Sequence, residues 1–253
     1  MKRVTVITCT LELNLDYFTT LDSIKSQEEI DLESVTVLPN AYFEENFDSN
    51  SLWTDNHRVL KQDLNGIYNA MNSGLAAARG DYCLFLNAGD SFIESKSLQI
   101  LSNSVDSGIW GYGGLKLLSP SGRIKNYSFT PFSDIQLKSS MKYVPHPATL
   151  VKTQILKDLG GFDETLEIIA DQDLAYKLSK LEPPRISIEQ ISSFRLGGTS
   201  TRSPLEIFAD YRYWLKLKGE KIFLSPKLNS IILLMFAFFR WFKVQYARVV
   251  SRR

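Results

Sequence analysis

The chain has 253 residues, of which 44% are hydrophobic and 23% charged. This is the composition of a globular protein with one large α/β domain or one domain plus a tail. Its net charge of +1 excludes a whole-protein attraction to nucleic acid, so no nucleic-acid partner is expected. After Met1 there is no signal-peptide core, and no run of about 20 uninterrupted apolar residues exists, which predicts a cytoplasmic protein without a spanning helix. Cys9 and Cys83 lie in apolar runs and are expected to be buried free thiols.

Strand-like and helix-like segments alternate through the first part of the chain. The β-branched run Val4–Thr10 predicts a strand, and apolar residues at helical spacing predict a helix over Leu13–Gln27. The pattern continues with a strand at Val35–Leu38, a polar loop over residues 40–57, a helix at Gly66–Ala78 and a strand at Tyr82–Leu86. The last strand is apolar throughout, as parallel strands buried on both faces are. We therefore expect an α/β fold with a parallel sheet of the nucleotide-binding type.

Weaker patterns predict the elements that follow. One expected helix begins at Ser95 or Ser97 and ends at Ser104, and three more cover Ile155–Leu159, Ala170–Lys180 and Pro204–Lys218. Expected strands cover Ile109–Leu118 and Arg185–Leu196. Residues 1–220 are predicted to form one domain, and residues 221–253 an amphipathic C-terminal helix.

An acidic residue follows the apolar strand in the motif Asn87-Ala-Gly-Asp90. Because ligands of α/β sheets bind at the carboxyl ends of strands, Asp90 is placed to hold a divalent cation, which prefers oxygen ligands. Gly89 would let a ligand approach the backbone closely. The structural alternative is a plain turn, since Asn, Gly and Asp all favour turns. The helix and glycine stop that precede the motif, from Gly66 to Asp81, favour the cation site.

A second acidic motif opens a predicted helix, in the block from Gly160 to Leu174. A hydroxyl is a poor nucleophile, and a carboxylate beside it can take its proton as a bond forms. Asp171 is the candidate for this role. The structural alternative is that Asp171 or Asp173 caps the helix by accepting from its end amides.

These motifs resemble those of family-2 glycosyltransferases with the GT-A fold, in particular the bacterial branch that builds capsule-like and colanic-acid-like polysaccharides. Four blocks appear in the family's order over roughly residues 3–215. The resemblance implies a mostly parallel central sheet flanked by helices, and an enzyme that transfers a sugar with inversion from a nucleotide-sugar to a glycan in surface polysaccharide biosynthesis. It implies that Asp90 binds Mn²⁺ or Mg²⁺ and that Asp171 is the catalytic base.

The resemblance also implies the residues that contact the substrates. Donor-binding positions are Thr8, Asn40, Asp63, Asn69, Asn87, Gly89, Gly198 and Ser200, and acceptor-binding positions are His146 and Asp173. Structural roles fit Asn69 and His146 equally well, and the glycines that precede Ser200 also suit an ordinary turn. The second strand ends in Val37-Leu38-Pro39-Asn40 instead of the aspartate with which the family reads the nucleobase. The donor base therefore stays open between uridine and guanosine diphosphates.

The C-terminal segment joins the apolar run 231–239 to basic residues at Arg240, Lys243 and beyond. The run is too short to span a bilayer and suits a membrane interface. A lipid-linked acceptor at the cytoplasmic face of the inner membrane would agree with this placement. The alternative is packing on the domain or on a second subunit, as in a homo-oligomer.

Two other functions fit parts of the sequence. A non-catalytic subunit that binds a nucleotide-sugar would explain the altered nucleobase block. A nucleotidyltransferase also uses a cation at a strand end, but it normally carries a glycine-rich basic loop after its first strand. The segment Thr8–Asn14 has neither glycine nor a basic residue, which disfavours a nucleotidyltransferase.

Overall fold

The computed structural model describes residues 2–46, 53–54, 56–62, 64–119, 123–139, 142–196 and 204–219, and the separate residues Ile231, Met235 and Phe238. The helices are α1 (Leu15–Lys25), α2 (Asn40–Asn46), α3 (Ile67–Ala77), α4 (Ser97–Val105), α5 (Asp134–Lys138), α6 (Thr153–Asp158), α7 (Ala170–Leu181) and α8 (Pro204–Leu217). The strands are β1 (Arg3–Cys9), β2 (Asp31–Leu38), β3 (Trp53–Thr54), β4 (His57–Lys61), β5 (Tyr82–Phe85), β6 (Ser91–Phe92), β7 (Trp110–Leu118), β8 (Ile124–Tyr127), β9 (Thr149–Lys152) and β10 (Arg185–Arg195). A short 3-10 turn covers His146–Ala148.

All of these strands belong to one sheet, in the order β3-β4-β2-β1-β5-β9-β7-β10-β6, with β8 on β7. Neighbours β4, β2, β1 and β5 are parallel, whereas β9 pairs antiparallel with both β5 and β7. The predicted α/β fold with a parallel central set of strands is confirmed. Because these four strands run the same way, their carboxyl ends meet at one edge of the sheet, where ligands of α/β proteins bind.

Helices cover both faces of the sheet, which explains why its strands are apolar without alternation. Successive side chains of a strand point to opposite faces, so Ile7 packs in the core beneath α3 and α7, and Val6 in the core beneath α1 and α4. Both cysteines are free and buried, as predicted, and burial raises the pKa of each thiol to about 12. Within the described ranges, no helix has both the length and the hydropathy needed to cross a bilayer.

Helix α1 departs from its predicted apolar face. It begins at Leu15, where the Asn14 side chain accepts a hydrogen bond from the backbone N–H of Tyr17 at 3.1 Å. Ile24 is buried, but Leu15 is 80% and Phe18 47% exposed. Periodicity predicts which residues share a face, whereas tertiary packing decides how much of that face is covered. Leu15 and Phe18 are therefore exposed in the first turn of α1, whereas Tyr17 between them is only 2% exposed.

The prediction of a loop over residues 40–57 is wrong in part. This region contains α2 and β3, and β4 follows it and extends the parallel set beside β2. Helix α5 and strands β6 and β9 also escape prediction. All of these elements have between two and seven residues, too few for a periodic pattern. The strands form because neighbouring strands supply their backbone partners, whereas α2 and α5 make local hydrogen bonds, such as those from the N–H of Phe43 to the carbonyl oxygen of Pro39 and from the N–H of Leu137 to that of Ser133.

A buried ion pair joins the parallel strands to the end of α3. Glu33 of β2 and Arg58 of β4 pair in the interior, and the Arg58 guanidinium also donates to the carbonyl oxygen of Ala77. Thr5 Oγ1 and the backbone N–H of Arg79 donate to Glu33 at 2.6 and 2.9 Å. Burial acts to raise the pKa of Glu33, but these donors and the charge of Arg58 together lower it.

Replacing Arg58 with Met is expected to destabilise the fold by about 3 kcal/mol, because it leaves the Glu33 carboxylate buried without its cation. Arg185→Met is the control: Arg185 is exposed and lies 4.0 Å from Glu182, and such surface pairs contribute about 1 kcal/mol or less. Urea denaturation of the two variants measures the difference. Equal losses of stability in the two variants would show that the buried Glu33–Arg58 pair contributes no more than the exposed pair.

Candidate active site

The turn from Asn87 to Asp90 follows β5 at the carboxyl edge of the sheet, as predicted from the motif. The backbone N–H of Asp90 donates to the carbonyl oxygen of Asn87 at 3.0 Å. Thr20 of α1 holds the turn from the side: its hydroxyl donates to the carbonyl oxygen of Asp90 at 2.6 Å and accepts from the N–H of Gly89 at 3.0 Å. Gly89 has a φ of +95°, which a residue with a side chain rarely adopts. The turn is therefore fixed by its own backbone and by α1.

Asp90 is a buried carboxyl, only 6% exposed. Burial raises the pKa of Asp90 to about 8, although the backbone N–H and the positive charge of Arg195 act to lower it. That N–H lies 3.3 Å from Asp90 Oδ1, and the Arg195 guanidinium pairs with Asp16 of α1 at 2.6 Å. Our sequence reasoning missed both Arg195 and Asp16, since they are 179 positions apart and no local motif marks either. The fold brings them together beside Asp90.

The oxygens of this turn fit a divalent cation. Asn87 Oδ1 is buried and has no hydrogen-bond partner within the described ranges, and it belongs to the same turn as the Asp90 carboxyl. Mg²⁺ is usually held by one or two protein carboxylates together with water and substrate phosphates. The described part of the chain contains no group of three or more His, Cys, Asp or Glu side chains that could hold a metal alone. Asn87 and Asp90 therefore suit a cation that takes its other ligands from a phosphorylated substrate.

Two predicted donor positions lie at the ends of the neighbouring strands. Thr8 is next to last in β1, opposite Thr36 of β2, and its hydroxyl is buried without a hydrogen-bond partner in the described structure. Asn40 is the exposed first residue of α2, just beyond β2. Both belong to the same edge of the sheet as Asp90. Of the other predicted donor positions, Asp63, Gly198 and Ser200 lie outside the described residues.

Asp171 lies in the first turn of α7, which begins at Ala170, the predicted start. Its Oδ1 accepts from the backbone N–H of Gln172 at 2.9 Å and from the Tyr68 hydroxyl at 3.4 Å, and its Oδ2 accepts from Gln172 Nε2 at 2.9 Å. The Gln172 side chain also accepts from the backbone N–H of Val144 at 2.9 Å. These contacts orient Asp171 and connect it to the segment that leads to His146.

His146 connects the region of Asp171 to the end of β5. Its ring stacks on Phe85 with centroids 5.6 Å apart and meets the edge of Phe162 at 5.7 Å. Burial lowers the pKa of His146, although the negative charge of Asp171 acts to raise it. The imidazole is therefore neutral at pH 7 and does not attract a phosphate by charge. His146, Phe85 and Asp171 line a cavity of about 20 Å³, which has room for roughly one water molecule. Phe85 is the last residue of β5 and lies two residues before Asn87, so Asp171 lies near the carboxyl end of the strand that leads to Asp90.

Asp173 is placed inside the protein and does not face an acceptor. It is fully buried, and its carboxylate accepts from Trp214 Nε1 at 2.6 Å and pairs with Lys177 at 2.8 Å and Lys218 at 3.0 Å. Trp214 and Lys218 belong to α8 and to the residue that follows it. The carboxylate therefore joins α7 to α8.

The asparagines of α3 bind the turn that precedes α7. The Asn72 side chain accepts from the backbone N–H of Phe162 at 2.8 Å and donates to the carbonyl oxygen of the same residue at 3.0 Å and to Glu164 at 2.7 Å. Asn69 accepts from the backbone N–H of Leu64 at 2.9 Å and donates to Glu164 at 3.3 Å. Asn69 is thus occupied by protein groups, in agreement with the structural alternative. The two sequence motifs, far apart in the chain, are hydrogen-bonded to each other.

Gly160 and Gly161 provide a test of this connection. Both have positive φ, +79° and +69°, but a Cβ on Gly161 would lie 2.3 Å from Asn72 Oδ1, whereas one on Gly160 would meet nothing within 4 Å. Gly160→Ala is expected to lose about 1 kcal/mol of stability from backbone strain. Gly161→Ala should lose at least about 1 kcal/mol more, because it also displaces Asn72 from its hydrogen bonds. Chemical denaturation measures both losses, and equal values would argue against the Asn72 contact.

The arrangement of strands, flanking helices and edge site is that of the GT-A glycosyltransferase fold. TarS of S. aureus in complex with UDP-GlcNAc superposes with a TM-score of 0.62 at 20% identity, over 93% of this chain and 71% of that one. The mannosyltransferase PcManGT from Pyrobaculum calidifontis, in complex with GDP-Man and Mn²⁺, superposes with a TM-score of 0.59 at 15% identity, over 99% of this chain and 75% of that one. At these identities the similarity establishes the fold.

Sequence relatives include an uncharacterized glycosyltransferase of Mycobacterium tuberculosis, Rv1514c, with 30% identity over 153 residues, which are 58% of this chain and 57% of that protein. The O-antigen biosynthesis protein RfbC of Myxococcus xanthus is 24% identical over 234 residues, 83% of this chain and 18% of that protein. The match thus spans somewhat more than half the length of the mycobacterial relative. No protein-family model matches the chain.

Proposed function

We propose that this protein is a glycosyltransferase that moves a sugar from a nucleoside-diphosphate sugar to a hydroxyl of a glycan. The observation that carries the proposal is the stack of His146 on Phe85, which connects the turn of Asp90 to the start of α7, where Asp171 lies. In this proposal, the carboxyl suited to a cation and the carboxyl suited to a proton act together at the carboxyl end of β5. Relatives named as glycosyltransferases and fold neighbours that hold UDP-GlcNAc or GDP-Man support it.

Asp90 and Asn87 would hold a divalent cation against the diphosphate of the donor. Such a cation neutralises charge that develops on the leaving nucleoside diphosphate. Thr20 keeps the two residues in place through the backbone of their turn. The positive charge of Arg195, beside Asp90, adds to the attraction for the diphosphate.

Asp171 would act as the base. The acceptor oxygen forms a bond to the anomeric carbon, the bond from that carbon to the diphosphate oxygen breaks, and the hydroxyl proton passes to Asp171. Tyr68 and Gln172 keep the carboxylate oriented. The single displacement, which inverts the anomeric centre, is part of the proposal and rests on the resemblance to family-2 enzymes.

The acceptor is proposed to be a lipid-linked glycan of a surface polysaccharide, in line with the name of RfbC. Residues 221–253 contain seven lysines and arginines and no acidic residue. Ile231, Met235 and Phe238 are helical and 56%, 64% and 47% exposed, and their spacing puts them on one face of a helix. An exposed apolar face in a basic segment suits the surface of an anionic membrane.

Vesicle sedimentation tests this part of the proposal. The protein should sediment with vesicles that contain phosphatidylglycerol and stay in solution with phosphatidylcholine alone. Met235→Glu should reduce the bound fraction, whereas the exposed change Ile188→Glu on β10 should not. Equal binding of the two variants would contradict docking through the tail.

A calorimetric screen of UDP, GDP and other nucleoside diphosphates, with and without Mn²⁺, tests the donor site, and product analysis with the matching nucleotide-sugar tests transfer. Binding that needs Mn²⁺, followed by transfer or donor hydrolysis, is the expected result. Binding without turnover would favour a non-catalytic subunit. Release of pyrophosphate from a nucleoside triphosphate would favour a nucleotidyltransferase, and no binding at all would refute the donor site.

A further inference from the structure

Helix α8 contacts the backbone that leads into α7. The carboxylate of Asp210 accepts from the N–H groups of Ile168 at 2.9 Å, Ile169 at 3.1 Å and Glu167 at 3.4 Å. These residues directly precede α7, whose first turn holds Asp171. Ile169 is the N-cap residue of α7, and the first N–H groups at a helix start lack partners within the helix. The Asp210 carboxylate therefore pairs the N–H of Ile169 and those of the two residues before it.

The peptide group of Ile168 is held from both sides. Its N–H bonds to Asp210, and its carbonyl oxygen accepts from the Tyr68 hydroxyl at 2.7 Å. The same hydroxyl lies 3.4 Å from Asp171 Oδ1. A shift of Ile168 would therefore move Tyr68 and the entry to α7, and with them the carboxylate of Asp171.

A second connection lies just beyond Asp171. Trp214 and Lys218 bind the buried carboxylate of Asp173. Helix α8 and the residue after it thus hold the chain on both sides of Asp171. In the described part of the protein, the hydrogen bonds of Asp171 itself come from Tyr68 and Gln172.

We propose that Asp210 is a positioning residue for Asp171, and that α8 sets the place of the base through it. The inference rests on the proposed transfer reaction. A displacement of about 1 Å in a reacting group can cost about 100-fold in rate. Asp210 does not contact the carboxylate it positions, so its loss should affect the chemical step and leave the donor site at Asp90 unchanged.

The test compares Asp210→Ala and Asp210→Asn with Tyr213→Ala, an exposed position on the same helix. Asp210→Ala should lower kcat by about 10- to 100-fold, with the KM for the donor and the Kd for the nucleoside diphosphate within about twofold of the wild type. Asp210→Asn keeps an acceptor oxygen, so its kcat should lie between those of Asp210→Ala and the wild type. Tyr213→Ala should leave kcat unchanged.

Amide hydrogen exchange at residues 168 and 169 provides a readout that does not need activity. Exchange there should become faster in Asp210→Ala than in Tyr213→Ala, while the core strands keep their protection. The inference is overturned if exchange at these amides is unchanged, if kcat is unchanged, or if kcat and donor affinity fall together. If the wild type transfers no sugar, the proposed function fails separately, and the exchange data still decide whether Asp210 holds the entry to α7.

Discussion

Asp171→Asn is expected to lower kcat by about 10²- to 10⁴-fold, the usual contribution of a general base. The substitution keeps the shape of the side chain and its acceptor oxygen for the N–H of Gln172, but the amide cannot take the acceptor proton. Asp171 belongs to α7 and not to the turn of Asp90, so the Kd for a nucleoside diphosphate with Mn²⁺ should stay nearly the same. Turnover of the nucleotide-sugar and calorimetric binding of the diphosphate measure the two quantities.

The control for this variant is Asp158→Asn, the same chemical change at an exposed position at the end of α6. It should leave kcat unchanged. Normal turnover in Asp171→Asn would remove the residue from the mechanism. A joint loss of turnover and nucleotide binding would show instead that Asp171 supports the donor site.

Asp90→Asn is expected to abolish cation-dependent nucleotide binding and, without a cation, to stabilise the protein. In the folded protein, burial raises the pKa of Asp90 from 3.8 to about 8, so the folded state binds the proton more tightly than the unfolded state does. This contribution to stability is fully present below about pH 3.8 and is lost as the pH rises towards about 8. Asn has no proton to lose, so the stability of the variant relative to the wild type should increase as the pH rises across this range.

A pKa difference of one corresponds to about 1.4 kcal/mol, and we expect the variant to gain at least this much by about pH 7. Thermal unfolding of both proteins between about pH 4 and pH 8, in the presence of a chelator, measures the gain. A constant difference over this range would show that Asp90 does not titrate as proposed. Added Mn²⁺ with a nucleoside diphosphate should raise the Tm of the wild type only, because the cation needs the ionised carboxylate.

Local patterns were sufficient to predict several elements of the site. The apolar run at β5 and the motif after it predicted a buried strand followed by a turn that carries Asp90, and the block after Gly160 predicted that Asp171 opens a helix. Both predictions depend on residues adjacent in sequence. The roles of Asn69 and Asp173 could not be predicted in this way, because Glu164 and Trp214, which occupy them, come from elements remote in the chain.

By itself, the sequence determined β1, β2 and β5 of the parallel set, α3, α7 and the two acidic motifs, because apolar periodicity and turn chemistry depend on neighbouring residues. The tertiary structure alone decided that Arg195 lies beside Asp90, that His146 stacks on Phe85 and that Asp210 holds the entry to α7. Burial and charge at these positions are set by groups tens to more than a hundred residues away. Those groups become neighbours only when the strands pair and the helices pack on the sheet.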